Sequence, residues 1–318
     1  MSDKDKKIPV LVIVGPTASG KTALGIEMCR ELNGEVVSAD SMQVYKGMDI
    51  ATAKPTFEET MGVPHHLISV VEPEGEFSVA DYVKLASAAI RDIHSIGKLP
   101  VLVGGTGLYV NSLIDNISFD SAQTDGNVRR RLTDEAEQLG RVAMLERLRE
   151  IDPDTAAGLH PNNITRIIRA LEIYELTGMK FSEYKAVSRS VESPYKPCFI
   201  GLTYNDRGLL YDRINKRVDI MAENGLVEEA RKVWENSHGL KTAHQAIGYK
   251  ELSPYFEGTK TLEECLDFLK MQTRRYAKRQ LTWFRRDDRI NWIEIDKILN
   301  KRKLIMDCLN IVEKSEII

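Results

Sequence analysis

The sequence of 318 residues has few cysteines and no long apolar segment. Its four cysteines are scattered, and none shows the C-x-x-C spacing of a zinc site, so neither a structural zinc nor a disulfide framework is expected. No apolar run approaches the roughly 20 residues that span a membrane. The first residues, MSDKDKK, are charged and lack the apolar stretch of a secretion signal. We therefore expect a cytoplasmic protein that does not enter a membrane.

Near its start the chain does contain the phosphate-binding pattern G-x-x-x-x-G-K-[ST]. The matching residues are Gly15, Pro16, Thr17, Ala18, Ser19, Gly20, Lys21 and Thr22. An apolar strand pattern at Val10–Val14 precedes the motif and a helical pattern at Ala23–Leu32 follows it, which is the context that the motif requires. Backbone N–H groups and the ammonium group of Lys21 are expected to bind a di- or triphosphate, and the hydroxyl of Thr22 to bind Mg²⁺.

The net charge of −3 does not by itself suggest a nucleic-acid partner. Basic residues are nevertheless concentrated in two segments, Arg129–Arg131 and Arg274–Arg289. A single cluster of this kind fits a solvated helix face equally well. Two clusters in a chain with a phosphate-binding loop favour contact with a polyanion. Within the second cluster, Trp283 and Phe284 fit either the core or a platform on which bases stack.

Strand and helix patterns alternate through the first third of the chain, which predicts a parallel sheet. Further strands are predicted at Glu35–Ser38, Pro100–Val103, Cys198–Leu202 and Ile290–Glu294, with His65 and His66 in a loop. The patterns predict an α/β fold, a P-loop NTPase-like parallel sheet flanked by helices, with a helical insertion domain. Its parts are the first part of the core at 1–119, the insertion at 120–196 and the second part of the core at 197–318, with a long basic helix at Leu262–Phe284.

Asp40 follows the second predicted strand, on the rim where parallel sheets bind their ligands. The strand at Pro100–Val103 ends in glycines and lacks the carboxylate that usually accompanies a phosphate loop. Three interpretations of Asp40 follow: a ligand of Mg²⁺, a general base for an incoming nucleophile, or the cap of a turn that begins near Ser41. Its place on the rim favours a functional role over the cap.

Two weaker signals lie near the same rim. The turn at Gly104–Gly107 offers backbone N–H groups and the hydroxyl of Thr106, although close packing explains such a turn equally well. Arg213 and Arg217 are four residues apart on one helical face, from which either can reach a phosphate or point into solvent. The six histidines show no spacing typical of a metal site.

In their order along the chain, these and several further motifs resemble the tRNA dimethylallyltransferase (tRNA isopentenyltransferase) family of the bacterial type. The resemblance covers nearly the whole chain, and Ala51 departs from it, since the family often has glycine there. Besides the phosphate loop, the motifs are DSMQVYKGMDI at 40–50, AKP at 53–55, VGGTGLY at 103–109, HPNN at 160–163, RIIRALE at 166–172 and AKRQLTWFR at 277–285.

The resemblance implies transfer of a dimethylallyl group from dimethylallyl diphosphate to N6 of adenosine-37, beside the anticodon of tRNA, with release of diphosphate. It implies catalytic roles for Asp40 as the base, for Thr17 and Arg217 at the diphosphate, and for Thr106 near the acceptor. The phosphate loop, with Mg²⁺ on Thr22, then stabilises the charge that develops on the leaving diphosphate. The acceptor base, which is stacked in the anticodon loop, has to leave its stack to reach this rim.

By the same resemblance, the anticodon stem-loop of tRNA is the macromolecular partner, and we expect the protein to act as a monomer. The residues that the resemblance places at the tRNA are Asp40, Ser41, Met42, Gln43, Thr106, Arg129, Thr165, Arg166, Ile167, Ile168, Arg169, Gln245, Ala246, Ile247, Gly248, Tyr249, Lys250, Arg275 and Lys278.

Without the resemblance, the residues leave other functions open. A small-molecule or nucleotide kinase would use the same loop, rim aspartate and arginines. The basic cluster in the insertion and the missing carboxylate after Val103 argue against a kinase. A non-catalytic RNA-binding module with a structural phosphate loop is a second alternative. An enzyme that prenylates free adenine nucleotides is a third, and the long carboxyl half argues against it through the resemblance.

Overall fold

The structure is a computed structural model that describes residues 7–119, 125–236, 239–240 and 242–318. The chain divides into two compact units: Met1–Ile114 together with Pro194–Ile318, and Asp115–Ser193. The second unit overlaps the predicted insertion at 120–196, whose first residues, 120–124, lie outside the described residues. Each unit has a hydrophobic core of its own.

The first unit is built on a parallel sheet that has six strands within the described residues. The strands are β1 (Ile8–Val14), β2 (Gly34–Ala39), β3 (His65–His66), β4 (Leu99–Gly104), β5 (Tyr195–Thr203) and β6 (Ile290–Glu294). Their order across the sheet is β3-β2-β4-β1-β5-β6, and each neighbouring pair is parallel. The predicted parallel sheet is confirmed, whereas His65 and His66 form a short edge strand and not a loop.

The apolar strand β1 lies in the middle of this sheet, between β4 and β5. Val10, Val12 and Val14 pack into the core on one face, and Leu11 and Ile13 pack into the core on the other face. A strand that is covered on both faces has to be apolar along its whole length, which explains the unbroken run before the phosphate loop. The loop therefore begins at the centre of the carboxyl edge of the sheet.

The helices of the first unit, within the described residues, are α1 (Lys21–Glu31), α2 (Val79–Ser95), α3 (Gly107–Ile114), α9 (Arg207–Glu223), α10 (Leu226–Glu235), α11 (Ser253–Phe256), α12 (Leu262–Phe284) and α13 (Lys301–Lys314). The first residue of α2 follows Ser78, whose hydroxyl accepts a hydrogen bond from Asp81 N at 3.2 Å. Thr261 caps α12 in the same way through Glu264 N at 3.2 Å. These caps fix where the two helices begin.

The second unit is entirely helical in the part of the chain that the structure describes. Its helices are α4 (Gly126–Leu139), α5 (Arg141–Ile151), α6 (Pro153–Ala157), α7 (Ile164–Thr177) and α8 (Phe181–Val187). Leu132, Leu145, Ile167 and Leu171 are among the side chains of its core. Across both units, the described residues include no helix with the length and apolar character that crossing a membrane takes.

Candidate active site

The phosphate loop between β1 and α1 has the bent backbone that its glycines predict. Gly15 has a φ of +153°, and a Cβ there would lie 2.8 Å from the carbonyl oxygen of Leu202, so only glycine fits. Ala18 and Gly20 also have positive φ values, of +62° and +88°. The hydroxyl of Ser19 is buried and has no hydrogen-bond partner among the described residues. The loop thus keeps a polar group that can bind a ligand.

Two cationic side chains interact beside this loop. Burial, followed by the charge of Arg217, lowers the pKa of Lys21 to about 8, while the charge of Asp40 opposes the shift. Burial also lowers the pKa of Arg217, and the charge of Asp40 again opposes this effect. Arg213 donates from Nε to the carbonyl oxygen of Ala18 at 3.0 Å and so holds the loop. Because neighbouring cations repel each other, this arrangement favours a multiply charged anion between them.

A cavity in the first unit meets the phosphate loop at Thr17. Its polar side chains include Asp40, Arg217, Thr273 and Tyr276. Its apolar side chains include Met42, Val218, Met221, Ile247 and Leu269. One cavity therefore offers groups for a charged ligand and a surface for a hydrocarbon group.

Asp40 caps a turn and also lines the cavity. Its Oδ1 accepts hydrogen bonds from Met42 N at 2.9 Å and from Gln43 N at 3.3 Å, so the carboxylate does cap the turn after β2. Asp40 also lines the cavity. Among the described residues, no group donates a hydrogen bond to its Oδ2. One oxygen holds the turn in place, and the other remains an acceptor for a proton or a ligand.

Thr106 contacts the turn of Asp40 and does not itself line the cavity. Its Oγ1 accepts a hydrogen bond from Ser41 N at 3.0 Å. Its own N–H donates to the carbonyl oxygen of Ala39 at 3.1 Å. The ends of β2 and β4 approach so closely that a Cβ at Gly104 would lie 2.2 Å from the carbonyl oxygen of Ala39. The glycine-rich turn therefore serves close packing, and the hydroxyl of Thr106 supports the position of Asp40.

Several predicted tRNA-contacting residues of the first unit come together at the cavity. Ser41 and Met42 line it from one segment, and Gln245–Gly248 line it from another. The predicted residues that do not line it are Gln43, Thr106, Tyr249, Lys250, Arg275 and Lys278. Tyr249 is buried, whereas Lys250, Arg275 and Lys278 are exposed.

The second unit holds the remaining predicted tRNA contacts. Glu172 is completely buried, and its Oε2 accepts hydrogen bonds from Arg129 and Arg169, each at 2.7 Å. Thr165 and Arg166 are exposed at the start of α7. Ile167 and Ile168 pack in the core of the unit, so their side chains are not available to a tRNA.

The sequence analysis did not identify some residues that line or support the site. Leu269, Thr273 and Tyr276 line the cavity from α12, and Gln280 follows them one turn later. Gln280 is buried and contacts the phosphate loop by accepting from Thr17 N at 2.8 Å. These four residues are spaced by three or four positions, which places them on one helical face. This spacing is the sequence pattern from which they could have been predicted. Val218 and Met221 on α9 share the same spacing.

The family model described as IPP transferase matches residues 43–287. A tRNA dimethylallyltransferase of Caldanaerobacter subterraneus subsp. tengcongensis is 50% identical over 293 residues, which cover 91% of this chain and 92% of the relative.

Two solved structures are also similar. The tRNA isopentenylpyrophosphate transferase of Bacillus halodurans is 47% identical, with a TM-score of 0.72 and 97% of each chain covered. A eukaryotic dimethylallyltransferase acting on tRNA is 31% identical, with a TM-score of 0.82, and the match covers 96% of this chain and 80% of the other.

Proposed function

The chain belongs to the IPP transferase family, and from this premise we propose that it transfers a dimethylallyl group from dimethylallyl diphosphate to N6 of adenosine-37 in tRNA. The observation that carries the proposal is the cavity that joins the phosphate loop to Asp40. Arg217 in its lining and Lys21 in the adjoining loop suit a diphosphate, and its apolar side chains suit a short branched hydrocarbon. A kinase site has no need of this apolar lining.

The proposed reaction uses the residues of this cavity in distinct ways. The N6 nitrogen attacks the first carbon of the dimethylallyl group, and the bond from that carbon to the diphosphate oxygen breaks. The diphosphate leaves with the electron pair, and Lys21, Arg217 and the N–H groups of the loop stabilise its charge. The alkylated nitrogen then loses a proton, which the carboxylate of Asp40 accepts. Thr17 contacts the diphosphate, and Thr106 acts through its hydrogen bond to Ser41.

Magnesium fits the oxygen donors at the loop. Thr22 offers a hydroxyl, and the buried hydroxyl of Ser19 lies in the same loop without a partner among the described residues. Within those residues, no group of three or more His, Cys, Asp or Glu side chains could hold a metal ion by itself. Thr22 would therefore hold Mg²⁺ together with oxygens of the substrate, a usual arrangement for this ion. Held there, Mg²⁺ would neutralise charge on the diphosphate.

The anticodon stem-loop of tRNA is the proposed acceptor. Arg275 and Lys278 on α12, and Arg166 on α7, are exposed basic side chains that can bind backbone phosphates. Adenosine-37 reaches the cavity by leaving its stack in the loop, at a cost that is lower for a loop nucleotide than for one in a duplex. We further propose that the protein acts as a monomer in the cytoplasm.

A transfer assay tests the proposal. Purified protein, Mg²⁺ and labelled dimethylallyl diphosphate are mixed with unmodified tRNA, and with AMP in a parallel reaction. We expect label in the tRNA alone. Label in AMP would replace the proposal with prenylation of free nucleotides, and label in neither would favour a kinase.

Two controls make this assay specific. A tRNA with guanosine at position 37 lacks the acceptor amino group at the same place and should remain unlabelled. A Lys21→Ala variant should lose transfer because the diphosphate loses one of its two cationic partners, although the tRNA still binds. Labelling of the guanosine-37 tRNA would contradict the proposed acceptor.

A further inference from the structure

The carboxylate of Glu229, on α10, accepts four hydrogen bonds although it does not line the cavity. Its Oε2 accepts from Asp49 N at 2.8 Å and from Ile50 N at 2.9 Å. Its Oε1 accepts from Ala51 N at 2.9 Å and from the hydroxyl of Tyr249 at 2.8 Å. A single side chain thus binds three successive backbone N–H groups and a phenol.

These donors lie in or directly beside two chain segments that line the cavity. Ala51, the last residue whose N–H is bound, lines the cavity together with Thr52 and Ala53, and Gly248 lines it directly before Tyr249. The two walls touch, because a Cβ added at Gly248 would lie 2.8 Å from the Cβ of Ala51. The φ of Gly248 is +113°, a value that side chains other than glycine rarely adopt. Glu229 therefore joins both walls at the place where they meet.

The charge of Glu229 is what this arrangement needs. Successive N–H groups that point to one place need a strong hydrogen-bond acceptor. An ionised carboxylate accepts stronger hydrogen bonds than a neutral side chain does. Burial and the charge of Glu229 raise the pKa of Tyr249, so the phenol stays protonated and continues to donate. From the other side, Gln43 Nε2 donates to the carbonyl oxygens of Thr52 and Ala53 at 3.1 and 3.2 Å. The wall segment is held from both sides.

We propose that Glu229 is a positioning residue that sets the binding of the dimethylallyl group, through the two cavity walls that it joins. The proposal rests on the proposed function. None of the four donors belongs to the phosphate loop, so the diphosphate moiety should be bound as before when Glu229 is changed. Selectivity for the prenyl group over bare diphosphate is therefore the property that depends on Glu229.

The matched variant is Glu229→Gln. Its amide oxygen can replace only one carboxylate oxygen, and its NH₂ group then faces backbone N–H groups or the phenol. We expect affinity for dimethylallyl diphosphate to fall about tenfold, as for the loss of one or two hydrogen bonds to a charge. Affinity for inorganic diphosphate should stay within about twofold, since its loop is untouched. Hydrogen exchange at Asp49–Ala51 should become faster.

Two further variants complete the experiment. Glu228→Gln changes an exposed neighbour on the same helix and should leave both affinities unchanged. Tyr249→Phe removes one of the four donors, keeps the carboxylate, and should weaken prenyl binding by a smaller factor. If Glu229→Gln does not fold, Tyr249→Phe still decides the matter, because unchanged selectivity in that folded variant would overturn the proposal.

The outcomes separate this proposal from the proposed function. If the wild-type protein prefers dimethylallyl diphosphate over diphosphate and Glu229→Gln keeps that preference, the positioning role is wrong and the function stands. If the wild-type protein has no such preference, the proposed function fails, and with it the role of Glu229 in prenyl binding. Hydrogen exchange reports in either case whether Glu229 holds the segment.

Discussion

The side-chain oxygen of Gln280 accepts a hydrogen bond from the backbone N–H of Thr17 at 2.8 Å. The nitrogen of the same amide donates to the carbonyl oxygen of Gly105 at 3.0 Å. One buried amide therefore links α12 to the phosphate loop and to the turn after β4. The basic helix α12 therefore carries exposed basic side chains and also supports the phosphate loop.

Gln280→Glu should weaken the diphosphate site. The carboxylate can still accept from Thr17 N, but it cannot donate to Gly105 and it adds a negative charge beside the loop. We expect KM for dimethylallyl diphosphate to rise by about tenfold or more, and stability to fall by about 1–3 kcal/mol, the cost of an unpaired buried polar group. Steady-state kinetics and thermal melts measure the two effects.

Thr282→Ala is the control for this variant, because Thr282 is exposed on the same helix. It should leave KM unchanged and lower stability only slightly. Equal effects of Thr282→Ala and Gln280→Glu on KM would mean that the helix as a whole, and not the amide of Gln280, supports the loop.

The lowered pKa of Lys21 predicts that binding of dimethylallyl diphosphate weakens as the pH rises through about 8. Bound diphosphate favours the charged ammonium and raises its pKa, so the complex keeps the proton. Above pH 8 the side chain of Lys21 in the free protein has lost its proton, so binding of dimethylallyl diphosphate requires the uptake of a proton. Affinity should therefore fall by up to about tenfold per pH unit. Calorimetry in buffers of different ionisation enthalpy measures the proton uptake.

Lys21→Arg provides the comparison for this pH dependence. Its guanidinium stays charged across the range, so the fall above pH 8 should disappear even if binding is weaker overall. A fall of the same steepness in Lys21→Arg would assign the titration to another group.

The affinity for tRNA should decrease steeply with salt, because exposed basic side chains release counterions from the phosphates that they contact. Arg275→Gln and Lys278→Gln should each lower the slope of log affinity against log salt by about 1. Lys232→Gln, which removes an exposed charge from α10, should leave the slope unchanged. A flat salt response in the unchanged protein would contradict contact between these side chains and the tRNA backbone.

The parts of the site that were predicted from the sequence are local. The phosphate loop depends on a strand, two glycines and a helix that follow one another directly, so its pattern is visible in a short segment. Asp40 was found in the same way, by its place after β2. The sequence offered a cap and a functional role as alternatives; the cap is present, and Asp40 lines the cavity as well, so the functional role stays a prediction.

The parts that were missed depend on contacts between distant segments. Gln280 and Thr17 are 263 positions apart, and Glu229 and Asp49 are 180 apart, so no local pattern joins them. β3 has only two residues, which is too short for an alternating pattern to appear. The burial of Ile167 and Ile168 could have been predicted from the sequence, because the spacing of apolar residues along α7 marks the face that packs in the core.

Asp40→Asn distinguishes the role of Asp40 as the cap of the turn from its proposed role as the general base. Asparagine keeps an oxygen that accepts from Met42 N, so the turn and the affinity for tRNA should be retained. Its amide cannot take up a proton, and turnover should fall by about 100-fold or more. Asp40→Ala, which also removes the cap, should lose activity to the same extent and cost about 1 kcal/mol of stability in addition.

The most direct test is a single-turnover reaction of the preformed complex of protein, Mg²⁺, dimethylallyl diphosphate and tRNA. N6-dimethylallyladenosine at position 37 and released diphosphate are measured in the same samples, for wild-type protein and for Asp40→Asn. We expect the wild-type protein to form the two products in equal amounts, and Asp40→Asn to bind both substrates but form neither product at a comparable rate. Unchanged product formation in Asp40→Asn, or diphosphate released without modified adenosine, would contradict the account of this cavity.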